Sequence, residues 1–243
     1  MGTTLVETEL HDGVAVITID RPHARNAISP ATMDELDKAL DEVAGARALV
    51  VRGAGDRAFV SGGDLKELDA IRSETGASAM AWKMRRICDR LAHFPAPVIA
   101  ALNGHALGGG AEVAVAADIR VAADDIRIGF TQSTLAIMPA WGGAERLAAL
   151  VGPGRALLLA GAGKVLDAAE AERVGLVDLV LPRASFEAGW RSLAASLATD
   201  SAREIKRVTS GGATPDEAVQ AFARLWVADA HWAAAERIMN RGK

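Results

Sequence analysis

What this chain lacks excludes several classes of protein. It has one cysteine, Cys88, in 243 residues, so no internal disulfide can form and a reducing, cytoplasmic setting is expected. Half of its residues are apolar, yet no run is long or pure enough to span a bilayer, and no membrane partner is expected. The start, Met1-Gly2-Thr3-Thr4, has no basic-then-apolar leader and runs straight into strand pattern, which argues against secretion. Cations are not in excess either. A formal net charge of -4 argues against nucleic acid as a main partner. Histidines and carboxylates do not fall at metal-ligand spacing, so no metal is expected. Low-complexity linkers and short repeats are missing as well.

What is present fits one sizeable α/β domain with a helical appendage. Residues 5–10 and 14–20 cluster or alternate β-branched side chains around His11-Asp12-Gly13, which predicts a hairpin. Ser29-Pro30 reads as a helix start, with 31–43 in helical spacing. Residues 48–51, 98–102, 119–122 and 127–130 read as short strands. Between them, 77–93 reads as helix, ended by Phe94-Pro95-Ala96-Pro97, and Cys88 within it as a small packed hydrophobe. Strands alternating with helices predict repeated β-β-α or β-α units. After Pro182 the pattern becomes wholly helical over 184–198, 201–208 and 215–240. The expected division is a core over 1–182 and a helical region over 183–243.

The most informative stretch is Gly104-His105-Ala106-Leu107-Gly108-Gly109-Gly110-Ala111-Glu112. Three glycines stand where a helix begins, and such residues let a substrate approach the backbone without a Cβ in the way. A helix start offers unpaired N–H groups and a positive dipole end to a developing negative charge. Glu112 falls one turn beyond Gly109 on the same face. That combination suits an enzyme that stabilises an oxyanion and moves a proton beside it. Taken alone, a glycine run also serves loops and close helix packing. A second segment, Ser61-Gly62-Gly63-Asp64-Leu65-Lys66, follows a strand pattern and could present another free N–H, from Gly63. The glycine run is not a dinucleotide fingerprint, because no suitable acidic residue and fold context accompany it.

Further marks are Asp20-Arg21-Pro22 with Asn26-Ala27-Ile28-Ser29, then Ala117-Asp118-Ile119-Arg120, Pro139-Ala140-Trp141-Gly142-Gly143, and a stretch ending in Gly175-Leu176-Val177. Together with residues 59–68 and 103–112, and in order and spacing over 14–181, they resemble the crotonase (enoyl-CoA hydratase/isomerase) superfamily. The resemblance implies an α/β spiral of repeated β-β-α units with a C-terminal helical region that mediates homotrimer or hexamer contacts. It implies an acyl-CoA substrate, with coenzyme A part of that substrate and no separate cofactor.

By the same resemblance, the backbone N–H groups of Gly63 and Gly109 form an oxyanion hole for the thioester oxygen. Glu112 matches the first of two catalytic glutamates. Family hydratases carry the second in a segment reading roughly Phe-x-x-Pro-Glu-x-x-Leu-Gly. Here, counting back from Pro139, Gln132 stands in its place and the segment is two residues short. Glutamine can orient a water but cannot take its proton. Arg25, Ser61, Asp64, Leu65 and Lys66 are the implied contacts along the substrate, although Arg25 and Lys66 also read as ordinary solvated charges. Arg237, Arg241 and Lys243 match a region that in relatives reaches CoA phosphates, in a tail shorter than the family's usual one.

Trp141 occupies a turn where many hydratases have a small residue, and it reads either as a wall of the acyl pocket or as packing. Ser61-Gly62, Gly110-Ala111-Glu112, the shortened segment and Pro-x-Trp-Gly-Gly look similar to ethylmalonyl-CoA decarboxylases. Three readings follow: hydratase or isomerase chemistry with one glutamate, decarboxylation of a short branched malonyl-type thioester, and acyl-CoA binding without turnover. His105, His231 and Trp232 are expected in packing or subunit contact, and Asp118 in hydrogen bonding after the helix.

Overall fold

The computed structural model describes residues 4–240. β1 (Val6–His11) and β2 (Val14–Ile19) form the expected antiparallel hairpin. Asp12 and Gly13 turn it with φ of 50° and 82°, the hand that fits the twist of two-residue hairpins. α1 (Pro30–Glu42) starts as predicted: the Ser29 side chain accepts the Thr32 N–H, and Pro30 lies in the first turn.

The chain then repeats one unit. β3 (Ala48–Gly53) and β4 (Ala58–Val60) lead to α2 (Leu65–Leu68) and α3 (Glu74–Ala92). β5 (Val98–Leu102) and β6 (His105–Leu107) lead to α4 (Gly109–Ala114). β7 (Ile119–Ala123) and β8 (Arg127–Gly129) lead to α5 (Gly143–Val151) and α6 (Pro153–Ala156). β9 (Val165–Asp167), α7 (Ala168–Arg173) and β10 (Leu179–Leu181) complete the spiral.

First strands of the units line up in one sheet, β1-β2-β3-β5-β7-β10, and second strands in another, β4-β6-β8-β9. From β2 onward the first sheet is parallel. β5 is buried along its whole length and β3 everywhere but Arg52, which is why both read as unbroken apolar runs. The corner between β3 and β4 is held by two buried asparagines. Asn103 accepts the Gly53 N–H at 2.9 Å and donates to the Gly55 carbonyl at 2.7 Å, while Asn26 donates to the carbonyls of Ala54 and Ala58.

Several boundaries differ from the sequence reading. α3 begins before residue 77 because Ser73 caps it by accepting the Gly76 N–H. The short strands β4, β6, β9 and β10 carry no periodicity that three residues could display. Beyond Pro182 lie α8 (Phe186–Leu197), α9 (Asp200–Thr209), α10 (Pro215–Trp226) and α11 (Asp229–Met239). The helical run over 215–240 is therefore broken at Val227 and Ala228. α8 packs on β3 and β7 with Trp190 wholly buried. The Lys206 ammonium ties α9 to the core, 2.7 Å from Asp118 and 3.0 Å from the Ala96 carbonyl. Cys88 is buried on α3, and burial pushes its thiol well above the usual range, as befits packing. Among the described residues no helix is long and apolar enough to cross a membrane.

α4 meets β4 at Gly110. A methyl group built on Gly110 would lie 1.8 Å from the Val60 carbonyl oxygen, so only glycine admits this approach. Gly110→Ala should lower stability by about 3 kcal/mol, read as a drop in the urea midpoint; an unchanged midpoint would show that the two elements can separate without cost.

Candidate active site

Parallel pairing of β4 with β6 brings the two segments that follow them side by side. A methyl group on Gly62 would lie 3.5 Å from the Gly109 nitrogen. Ile28 brackets the first segment: its N–H donates to the Gly62 carbonyl and its carbonyl accepts the Asp64 N–H, both at 2.8 Å. This pattern skips Gly63, whose N–H has no acceptor among the described residues. Gly109 is the first residue of α4, so its N–H is one of the donors a helix start leaves free. No acceptor among the described residues takes it either. The two glycines singled out from the sequence thus stand together with unpaired amides.

Glu112 lies in the first turn of α4 and is 2 % exposed. Its Oε2 accepts the N–H groups of Trp141 at 2.7 Å and Gly143 at 3.0 Å. Its Oε1 accepts the Gln132 side-chain amide at 2.8 Å. Burial raises the Glu112 carboxyl above the ordinary glutamate value, and the donors from Gly143, Trp141 and Gln132 offset only part of the rise. Gly143 has no room for a side chain, because a methyl group there would come within 2.3 Å of Glu112 Cγ.

Gln132 is buried at the start of a single 3-10 turn. While its amide nitrogen serves Glu112, its Oε1 is buried without a partner. Trp141 is buried too, with its indole against both glycines. A methyl group on Gly109 would lie 2.1 Å from Cζ3, and one on Gly63 would lie 3.9 Å from Cζ2.

The residues read as substrate contacts are spread around this centre. Arg25 is exposed with φ 54°, and its carbonyl accepts the Ser61 N–H at 3.2 Å. Arg25 and Ser61 line a cavity of about 570 Å³ with Arg57, Leu107 and Arg183. Arg57 lies just before the 59–68 stretch and carries no signal of its own in the sequence. Arg183 gave no signal, because only folding carries it back from beyond β10. Asp64 caps α2 by accepting the N–H groups of Lys66 and Glu67, and pairs with Arg21 at 3.0 Å. Burial would raise its carboxyl, but Arg21 and these amides hold it below the usual value. Leu65 and Lys66 are exposed on α2.

His105 is exposed and its Nδ1 accepts the Arg127 N–H. Asp118 accepts the Val98 N–H and pairs with Lys206. His231 and Trp232 stack around Trp226. Arg237 is exposed on α11, whereas Arg241 and Lys243 lie outside the described residues. Among the described residues no group of histidine, cysteine and carboxylate side chains could hold a metal.

Known proteins resemble this chain in sequence and fold. The family model for enoyl-CoA hydratase/isomerase matches residues 9–225. The chain belongs to the enoyl-CoA hydratase/isomerase family. It is 40 % identical over 169 residues to a probable enoyl-CoA hydratase of Bacillus subtilis, a match spanning 68 % of this chain and 65 % of the relative. It is 39 % identical over 171 residues to a short-chain-enoyl-CoA hydratase of Clostridium acetobutylicum, spanning 69 % and 65 %. The chain thus spans a little under two thirds of these two relatives. An enoyl-CoA hydratase of Thermoplasma volcanium superposes with a TM-score of 0.86 at 31 % identity, covering 97 % of each chain.

The raised carboxyl has a stability signature. Glu112 holds its proton more tightly folded than unfolded, so its ionisation costs the native state stability as pH rises from the ordinary glutamate range through the raised folded value. In Glu112→Gln the new amide can keep its oxygen on Trp141 and Gly143, with the Gln132 amide turned to accept from its nitrogen. Urea unfolding across that window should show the variant gaining on the wild type as pH rises. A difference independent of pH would show that the carboxyl is not perturbed.

Proposed function

We propose that the protein binds an acyl-CoA thioester, receives its carbonyl oxygen on the N–H groups of Gly63 and Gly109, and moves a proton through Glu112 at the carbon beside it. The observation that carries this reading is a buried carboxyl of raised pKa beside two unpaired amides. Chemistry next to a thioester passes through an enolate, and losing one such donor costs ~3 kcal/mol of transition-state stabilisation. The cavity lined by Arg25 and Arg57, with Arg183 paired to Asp125 and Asp56 also on its wall, offers cations that support binding of the phosphates of coenzyme A. Exposed Phe222, Trp226 and Ile238 on the C-terminal helices, with Val227 between two of them, support a homotrimer or hexamer.

With one carboxyl, hydration of a 2-enoyl thioester runs through a single group. Glu112 takes a proton from water as the oxygen bonds to Cβ, the electron pair moves to the thioester oxygen, and the same carboxyl returns a proton to Cα. Gln132 holds the carboxylate and takes no proton. An isomerase needs the same shuttle between two carbons.

A second reading is favoured by two observations. The residue hydrogen-bonded to Glu112 at the hydratase position is an amide, not a second carboxylate, and the apolar indole of Trp141 faces the hole. Decarboxylation of a short malonyl-type thioester needs no water nucleophile. The bond to the carboxylate breaks, carbon dioxide leaves, the electron pair enters the enolate, and Glu112 delivers the proton to Cα.

The absorbance of crotonyl-CoA separates the two. Under the first reading the conjugated absorbance falls with wild-type protein, and Glu112→Gln slows it by roughly 10²–10⁴-fold. No loss with crotonyl-CoA bound overturns hydration, and carbon dioxide released from ethylmalonyl-CoA then establishes the second reading. The pH profile has opposite signs in the two cases. As the base in hydration, Glu112 loses kcat/KM as pH falls through its raised pKa, at a pH above the ordinary glutamate range. As the acid in decarboxylation, it loses activity as pH rises through the same value.

A further inference from the structure

The benzo edge of Trp141 spans the two glycines. Cη2 would lie 2.5 Å from a methyl group on Gly109 and 4.0 Å from one on Gly63. Gly63 also faces Leu68, whose Cδ1 would lie 2.9 Å from the same methyl group. The Cα surfaces of the two glycines are therefore covered by an indole edge and, at Gly63, by a leucine as well, both apolar.

The indole is carried on a pinned turn. The Trp141 N–H is bound to Glu112, its carbonyl accepts from Arg146 at 3.2 Å, and the Gly143 N–H closes on the same carboxylate oxygen. Arg146 is itself paired with Asp89 on α3. With the ring buried, this is the mounting of a wall and not of a lid.

We propose that Trp141 determines acyl specificity: its indole closes the space beyond the thioester, so the protein takes short acyl groups, straight or branched next to the carbonyl, and rejects long chains. The proposal rests on the reading of Gly63 and Gly109 as the thioester site. A carbonyl oxygen within about 3 Å of both amides sets the acyl Cα against the glycine surface, so the indole edge is the first obstacle a growing chain meets. A long chain would have to expel a buried aromatic ring whose backbone is bonded at both ends, and a well-packed site does not yield to added methylenes without strain.

The test compares the binding of butyryl-CoA and octanoyl-CoA by calorimetry, since the CoA moiety is common to both and their ratio isolates the acyl group. Wild-type protein should favour butyryl-CoA by at least about tenfold, the discrimination a single methylene already produces in a tight pocket. Trp141→Ala should abolish or invert that preference, and Trp141→Phe, which keeps an aromatic fill and safeguards the fold, should reduce it. Octanoyl-CoA bound as tightly as butyryl-CoA by the wild type would overturn the wall and leave the thioester site standing. So would a preference unchanged in both folded variants. A wild type that binds neither ligand would overturn the site reading and the wall with it.

Discussion

The contact between Gly110 and the Val60 carbonyl oxygen is the constraint on which the site depends. It lets the first turn of α4 lie directly on the end of β4. Both segments that leave the second sheet here carry glycine, and the approach puts Gly109 beside Gly62 and Gly63. A side chain at Gly110 would push the helix out and separate the two amides. The free N–H groups also owe their freedom to architecture. Gly109 lies at a helix start, and Gly63 falls at the residue that the pairing with Ile28 skips. A buried amide left without a partner costs stability, so the fold keeps two donors in readiness at its own expense.

A second economy links the carboxyl to the ring. One oxygen of Glu112 is the acceptor that closes the turn from Trp141 to Gly143, and the other faces Gln132. The same contacts that restrain the raised pKa therefore hold the indole against the glycines. Charge, turn and indole form one unit, in which burial favours the neutral acid and the N–H donors of Gly143, Trp141, Gln132 and Ala140 favour the anion. Those opposing pulls leave the carboxyl raised above the ordinary glutamate value, the direction that suits proton transfer.

Much of this was legible in the sequence, for reasons that differ from residue to residue. The hairpin, α1 and the strands β3 and β5 announced themselves through turn residues, a cap and apolar runs, all local signals. Gly63, Gly109 and Glu112 stood out because two glycine-rich strand-to-helix junctions occur in the order and spacing of the family pattern, not because a glycine run alone points to a site. The glycines were read as room for a substrate. At Gly110 the structure shows room for a carbonyl of the same chain, and at Gly109 room for an indole. Such close approaches are set by the partner element and leave no local trace. Arg57 and Arg183 were not singled out for the same reason: their meeting with Arg25 depends on the return of the spiral. The break between α10 and α11 was missed because Val227 and Ala228 fit a helix by propensity, and neither is the glycine or proline that usually marks an end.

Gln132 shows how a missing group can be read. Its amide cannot replace a base, so the shortened segment before Pro139 first looks like a loss. In the folded protein the amide lies on Glu112, with its own oxygen buried and unpartnered. An amide can offer Glu112 a donor when the carboxyl is ionised, or, turned over, an acceptor when it is protonated. A second carboxylate in that position would disfavour ionisation of the first by like-charge repulsion. Gln132 can therefore pair with the Glu112 carboxyl in either of its states, while the backbone of Trp141 is bound to the other carboxyl oxygen. The chemistry proposed for the site passes one proton at a time at an enolate, and for that a single carboxyl with an amide neighbour suffices.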